Sequence, residues 1–263
     1  MTLVLAVKGV DGVVMAADGA STVADDSGVP YASQTAMKVH CCAGKFIWGA
    51  SGDVGVIQRI QHKLDQVQAN DMAMADPQEL RARVVAKIVP VLKECRADYI
   101  GPADPSQRPR YPGAEVLFAT ALPSGPFIVS INPDGKNDLI EGPHLAIGSG
   151  AAAAMAIMHK HRHQMHNCEL NQIIAYRAVA DAIDVTPVFL APPIRIGMVS
   201  RPAAGGGPPQ ARILSPEEIS AVEGSVELWT EFEREALLKT LSGLGAVDAG
   251  ADGIEPPPTV SQG

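Results

Sequence analysis

A chain of 263 residues, 46% of them hydrophobic but only 4% aromatic, is long enough to bury a sizeable and mainly aliphatic core within one domain. Its net charge of −8, without any Lys/Arg cluster, argues against nucleic acid and anionic membrane as partners. No apolar run approaches the roughly 20 residues that span a bilayer, and residues 1–20 have neither the basic start nor the cleavage pattern of a signal peptide, so a cytoplasmic protein is expected.

In chain order, residues 2–8 read as a first strand, the turn Gly9-Val10-Asp11-Gly12 reverses it, and Val13-Val14-Met15-Ala16-Ala17 returns as its hairpin partner, ending at Asp18. Lys38 opens a further strand-like stretch, Val39-His40-Cys41-Cys42. A turn at Ala43-Gly44-Lys45 leads from it to Phe46-Ile47-Trp48, and a helix is expected after Gly49-Ala50-Ser51-Gly52-Asp53. Over residues 54–70, Ile57, Ile60, Leu64 and Val67 recur at helical spacing. A second helix starts with Asp76 as N-cap, Pro77 at the first helical position and Glu79 closing a capping box. Leu80, Val84, Ile88 and Leu92 form its apolar stripe, and Pro90 removes one of its backbone bonds. Residues 101–113 are too rich in Pro and Gly for regular structure. Strands are expected at 115–122, 127–132 and 138–141, helices at about 150–165 and 169–184, and a strand at 194–200. The cysteines at 41, 42, 95 and 168 lack CxxC spacing and read as reduced, packed thiols.

After residue 200 the composition changes. A Pro/Gly/Ala linker at 201–209 precedes the capping box Ser215-Pro216-Glu217-Glu218, which opens a helix to about 241. Its Ile219, Val222, Val226, Trp229, Phe232, Leu237 and Leu238 either cover the chain's own surface or dock another chain. The tail from 242 is Gly-, Asp- and Pro-rich and reads as disordered. Helix pairs enclosing hairpin-rich β-runs point to an α+β protein in which two stacked antiparallel sheets lie between helix layers.

The chemistry begins at Thr2. Methionine aminopeptidases remove Met1 when the next residue is small, so the mature chain is expected to start with a threonine carrying both a hydroxyl and a free α-amine. An α-amine titrates near pH ~8 and can take the proton of its own hydroxyl, which supplies a nucleophile with a built-in base.

An ordered series then follows: Thr2, Gly12-Val13-Val14-Met15-Ala16-Ala17-Asp18, Lys38-Val39, Gly49-Ala50-Ser51-Gly52-Asp53 and Ile147-Gly148-Ser149-Gly150. In this order and spacing the residues resemble the proteasome β-subunits and the related bacterial HslV peptidase, which are N-terminal-nucleophile hydrolases. The resemblance covers roughly residues 2–200, and the immediate Met-Thr start looks more like HslV. It implies a four-layer α-β-β-α sandwich over 1–200, with 201–263 as linker, C-terminal helix and tail.

By the same resemblance Thr2 is the nucleophile and Lys38 the cation that keeps its amine neutral, with Asp18 as that lysine's partner. A cation beside an amine lowers the amine's pKa. Gly49 matches the glycine whose N–H forms the oxyanion hole. Ser149 matches the serine bonded to the threonine amine, and it also fits as N-cap of the helix beginning at Ala151. Asp184 matches the acid at the end of the next helix. The family's second serine, three positions later, is replaced by Pro187; Asp181 competes for the register, and Thr186 is the nearest hydroxyl. Ser21, Thr22 and Ser51 match positions that bind extended substrate.

The activity implied is that of a threonine-type endopeptidase in a self-compartmentalising homo-oligomeric ring acting on peptide or unfolded protein, with a AAA+ ATPase unfoldase as a candidate partner. Two alternatives are a catalytically inert structural subunit, motivated by Pro187, and a small-molecule amidohydrolase of the same fold. No phosphate-loop glycine motif or carboxylate pair calls for a cofactor. His159, His163 and His166 share a face if the helix at 150–165 runs on, with His161 beside them. Their spacing would suit a transition metal, but a favourable interaction with the helix dipole is the simpler account, so no metal is assigned.

Overall fold

The computed structural model describes residues 2–24, 30–68, 76–100, 113–162, 165–186, 190–201 and 207–243, with the backbone alone described at 21–24, 30–34, 100 and 241–243. The tight Gly9–Gly12 reversal, closed by a 2.7 Å bond from Gly9 N–H to Gly12 O, joins β1 (Leu3–Lys8) to β2 (Gly12–Ala17) in an antiparallel hairpin. β3 (Ala20–Ala24) and β4 (Pro30–Thr35) form a separate two-stranded ribbon. β5 (Val39–Cys42), β6 (Phe46–Gly52), β7 (Ala114–Leu122), β8 (Gly125–Ile131) and β9 (Asn137–Leu139) follow one another in a five-stranded antiparallel sheet. The other five-stranded sheet runs in the order β10 (His144–Gly148), β1, β2, β11 (Arg195–Ser200), β12 (Gln210–Ile213), also antiparallel throughout.

The strands read as continuous apolar runs because both faces of both sheets are covered, and side chains alternate between two apolar layers. On β1, Val4 and Ala6 point into the layer between the sheets, where they meet Met15, Ile47, Leu117 and Ile128. Leu3, Leu5 and Val7 point the other way, onto α3 (Ala151–Met158) and α4 (Cys168–Val185). On β6 and β7, Trp48, Val116 and Phe118 face α1 (Val54–Asp65) and α2 (Pro77–Ile100). Three apolar layers thus separate four structural ones, an α-β-β-α sandwich.

The helices start where their caps dictate. The Asp53 side chain accepts the Val56 N–H at 3.0 Å, and Asp76 accepts those of Gln78 and Glu79 at 2.9 and 2.8 Å. Ser215 and Glu218 cap α5 (Pro216–Gly243) reciprocally: Glu218 N–H donates to the serine hydroxyl and Ser215 N–H to the glutamate. The stripe Leu80, Val84, Ile88, Leu92 is buried as its spacing requires.

Three expectations change in detail. α1 stops at Asp65, so its buried stripe is Val56, Ile60, Leu64 at spacings of four, with Ile57 half-buried and Val67 buried beyond the helix end. The helix expected to 165 ends at Met158 and gives way to a 3-10 turn, His159–His161, before Asn167 caps α4. β4, β10 and β12 were not apparent from the sequence. β12 is an edge strand of only four residues, and β10 borrows its order from β1.

α5 uses only part of its apolar residues to cover the chain's own surface. Ile219, Val222, Val226 and Trp229 pack in the layer with α4, and Arg177 of α4 lies 4.5 Å over the Trp229 ring while bonding Glu233 at 2.6 Å. Leu228, Phe232, Leu237 and Leu238 remain exposed. Of the loop expected at 101–113, residues 101–112 lie outside the described residues, as does the expected tail from 244 on; residues 242 and 243, read as the start of that tail, belong instead to α5.

Phe118 has no exposed surface and packs 5.3 Å from Phe46, centroid to centroid. Phe118→Ala is expected to lower stability by about 3–5 kcal/mol, read as a shift in denaturation midpoint at fixed protein concentration.

Candidate active site

The hairpin brings the end of β2 back beside the start of the chain. Ala17 pairs with Val4, so the next residue, Asp18, lies opposite Leu3 just where the ladder stops. Its carboxylate continues the ladder: Oδ1 accepts the Leu3 N–H at 2.7 Å and Oδ2 the Ala20 N–H at 3.1 Å, while Asp18 N–H donates to Leu3 O at 3.3 Å. Asp18 is fully buried, and a buried carboxylate needs a counter-charge. Lys38 at the foot of β5 provides it, with Nζ 2.7 Å from the same Oδ1 that holds Leu3. Burial pushes the Lys38 ammonium below its ordinary value of 10.5, with the charge and hydrogen bond of Asp18 opposing the shift. The lysine is thereby fixed, through one shared oxygen, next to the residue that follows Thr2.

The other side of Thr2 is held by the turn after β10. The Thr2 N–H donates to Ser149 Oγ at 3.2 Å, and the serine hydroxyl donates back to Thr2 O at 3.3 Å. Gly150 N–H also reaches Thr2 O, at 3.3 Å. Ser149 makes no cap bond to α3, whose N-cap is Gly150, so its hydroxyl is engaged at Thr2 instead. The turn depends on Gly148, which sits at φ +92°, where a Cβ would lie 2.2 Å from Thr2 O. Thr2 itself is buried, with 8% of its surface exposed.

Gly49 of β6 faces the layer between the sheets. A Cβ there would lie 2.8 Å from Val4 Cγ1 and 2.9 Å from Lys38 O, so glycine at 49 is what lets β6 approach β1 and the lysine strand. The same position of Gly148 that a Cβ would occupy lies 2.8 Å from Ser51 Oγ, which puts Ser51 at this corner as well. Ser21 and Thr22 are in β3, where only the backbone is described; β3 starts directly beyond the Asp18–Ala20 contact. Asp184 is exposed in the last turn of α4 and makes no hydrogen bond to Thr2 or Ser149 among the described residues. Asp181 pairs with Arg177 at 3.8 Å, and the Thr186 hydroxyl donates to Ala182 O of its own helix. Pro187 and His163 lie outside the described residues. His159 and His166 do not share a helix face, because α3 ends before the first and α4 begins after the second; no metal-binding group of three ligands occurs among the described residues.

His40 stacks on Trp48 at 4.5 Å and Ile47 is buried in the inter-sheet layer. One polar residue near this corner was not singled out from the sequence: Glu115 of β7, half-buried opposite Ser51, whose carboxyl is pushed by burial above its ordinary value. Its signal was a single acid within the otherwise apolar run 114–122.

Comparison with known proteins agrees with this architecture. The family model for the proteasome subunit matches residues 2–188. Proteasome subunit beta type-2 of Saccharomyces cerevisiae is 27% identical over 182 residues, which cover 69% of this chain and 61% of that relative. The chain thus spans less than two thirds of the length of this curated relative. Among solved structures, a Gly-1 mutant of Anbu from Hyphomicrobium sp. strain MC1 superposes with a TM-score of 0.61 at 15% identity, over 91% of this chain and 99% of that one. A helical assembly of the Anbu complex from Pseudomonas aeruginosa gives 0.61 at 15% identity over 99% and 100%. At that identity the likeness is one of fold.

Because Asp18 and Lys38 are paired away from water, Asp18→Ala or Lys38→Ala alone takes a close opposite charge from a buried group. Each is expected to cost about 3–5 kcal/mol, and the double variant clearly less than the sum, in a double-mutant cycle of denaturant unfolding.

Proposed function

Since the chain belongs to the proteasome subunit family, we propose that it is a threonine-type endopeptidase whose nucleophile is the hydroxyl of Thr2, made N-terminal by removal of Met1. The hydroxyl attacks a peptide carbonyl while the α-amine takes its proton and later delivers it to the leaving amine. Water then hydrolyses the acyl-enzyme. Gly49 N–H steadies the oxyanion. Lys38, held charged by Asp18, keeps the amine neutral and favours the developing alkoxide, and Ser149 orients the amine. The backbone at Ser21 and Thr22, with Ser51, aligns an extended substrate as an added strand, and Asp184 is the outer acid of the amine corner. The observation that supports this reading most directly is that Thr2 is held from both sides, by Ser149 at its nitrogen and by the Asp18–Lys38 pair at the adjoining Leu3 amide.

We further propose a cytoplasmic homo-oligomer enclosing these sites, with a AAA+ unfoldase delivering substrate. The Pseudomonas aeruginosa neighbour is described as a helical assembly, and the exposed Leu228, Phe232, Leu237 and Leu238 of α5 are apolar surface that an assembly covers. The described helices include none long and apolar enough to cross a membrane.

A second reading, an inert structural subunit, draws on the exposed Asp184 and on the Thr186 hydroxyl spent within its own helix, which leave Ser149 as the side-chain partner of the Thr2 nitrogen among the described residues. Fluorogenic peptide hydrolysis by protein whose intact mass shows loss of Met1 separates the two. Turnover that falls by at least about 10³ in Thr2→Ala and survives partly in Thr2→Ser is expected for the peptidase. Equal, background rates in wild type and Thr2→Ala would leave the structural subunit.

The pH dependence follows from the same groups. With a cation beside it the amine loses its proton below its usual pH of ~8, giving an acid limb there. Lys38, lowered from 10.5, gives up its charge on the alkaline side below that value, so kcat/KM is expected to fall as pH rises through it. A rate that stays flat to beyond pH 10.5 contradicts the role given to Lys38.

A further inference from the structure

The end of α5 stands clear of the domain. Ile219, Val222, Val226 and Trp229 pack in the layer with α4, but every residue from Glu231 to Thr240 is exposed, about three turns of helix. Leu228, Glu231, Phe232, Glu235 and Leu238 recur at three or four residues. They share the face turned away from Trp229 and Glu233, the two residues that meet Arg177 of α4. Its three apolar members are 58%, 68% and 56% exposed. Two leucines and a phenylalanine held in water on one helix face favour a partner that covers them.

On the opposite outer face of the sandwich, α1 and α2 leave between them a groove of about 1020 Å³. Gly55 and Ala86 keep it free of bulk, Pro90 and Val91 make part of one wall apolar, and Lys63 and Lys87 stand on it, one from each helix. Of the other charged groups there, Arg59 and Asp98 pair with each other at 3.0 Å, and Glu94 is the remaining acid. The two surfaces differ in charge, although the chain as a whole is acidic. α1 and α2 together hold seven Lys/Arg against four Asp/Glu, whereas α5 holds two against seven.

We propose that the exposed face at the end of α5 docks in the α1–α2 groove of a second copy of this chain. Leu228, Phe232 and Leu238 cover the wall formed by Ala86, Pro90 and Val91, and Glu231 and Glu235 meet Lys63 and Lys87. The 3.6 Å contact of Glu235 with Lys239 in its own helix is solvent-exposed and weak enough to give way. A chain does not fill its own groove in this manner, because α5 and the groove lie on opposite outer faces with both sheets between them. The contact is therefore heterologous. Each copy offers its helix to the next and its groove to the one before, an order that continues into a ring or an open helix. This interface rests on the homo-oligomer reading given above, for which it supplies the surface.

The test is charge reversal in the full chain, read as molar mass by size-exclusion chromatography with light scattering at low ionic strength, with circular dichroism as the control for folding. Glu231→Lys combined with Glu235→Lys, and separately Lys63→Glu combined with Lys87→Glu, are each expected to weaken assembly at least about 100-fold, since like charges then face each other across the contact. Each variant repels its own kind and complements the other, so an equimolar mixture of the two is expected to assemble again in alternating order. Such a rescue requires contact between copies, and so excludes the chain's own residues 244–263 as occupant of the groove. A mixture that stays dissociated overturns the interface, as does dissociation in only one of the two variants. A wild-type assembly unchanged by either reversal also overturns it, and the homo-oligomer then stands on other surfaces. Wild-type protein that is monomeric at every concentration overturns both readings and leaves the two faces to a different protein.

Discussion

The carboxylate of Asp18 is the constraint around which this molecule is arranged. It is buried without exposure, and its oxygens are taken by two main-chain N–H groups and one ammonium. The first N–H anchors the start of β1, the second the start of the β3–β4 ribbon, and the ammonium ties β5 of the opposite sheet to both. A buried ion pair of this sort contributes little net stability, because desolvation of two charges offsets most of their attraction. Its effect is to make alternatives costly: any arrangement that separates Lys38 from Asp18 parts two buried opposite charges beside an apolar layer.

That apolar layer explains why the pair holds. Val4, Met15, Ile47, Leu117 and Ile128 meet between the sheets, and β6 comes close to β1 only because residue 49 has no side chain. The outer layers, built on α1 and α2 on one side and α3, α4 and α5 on the other, keep both sheets in place from outside. Thr2 is therefore held within the sandwich. It is gripped at its nitrogen and its carbonyl by Ser149, and Gly150 N–H reaches the same carbonyl. In the chemistry proposed, the groups that handle protons sit where the two sheets meet.

The periphery is looser in design. α5 spends the face formed by Ile219, Val222, Val226 and Trp229 on its own α4, clamped by Arg177 and Glu233, and carries exposed leucines and a phenylalanine further along. The exposed Asp184 at the end of α4 stands apart from the tight hydrogen bonding at Ser149 and Asp18.

Local patterns in the sequence were enough for most elements. The Gly9–Gly12 reversal, the caps at Asp53, Asp76 and Ser215, and the stripe Leu80, Val84, Ile88, Leu92 each depend on neighbours a few residues away, and such signals survive without the fold. The order of Thr2, Asp18, Lys38, Gly49 and Ser149 along the chain was legible for the same reason, through resemblance to a family. What only the tertiary structure decided is distance and direction. Nothing local says that Asp18 serves Leu3, Ala20 and Lys38 with two oxygens, or that Ser149 turns from capping α3 to bonding Thr2. The same limit hid the end of α3 at Met158 and the edge strands β10 and β12, which exist by pairing with β1 and β11 rather than by their own propensity. Contacts between residues far apart in sequence are set by how the two sheets stack, and a one-dimensional pattern carries no record of that packing.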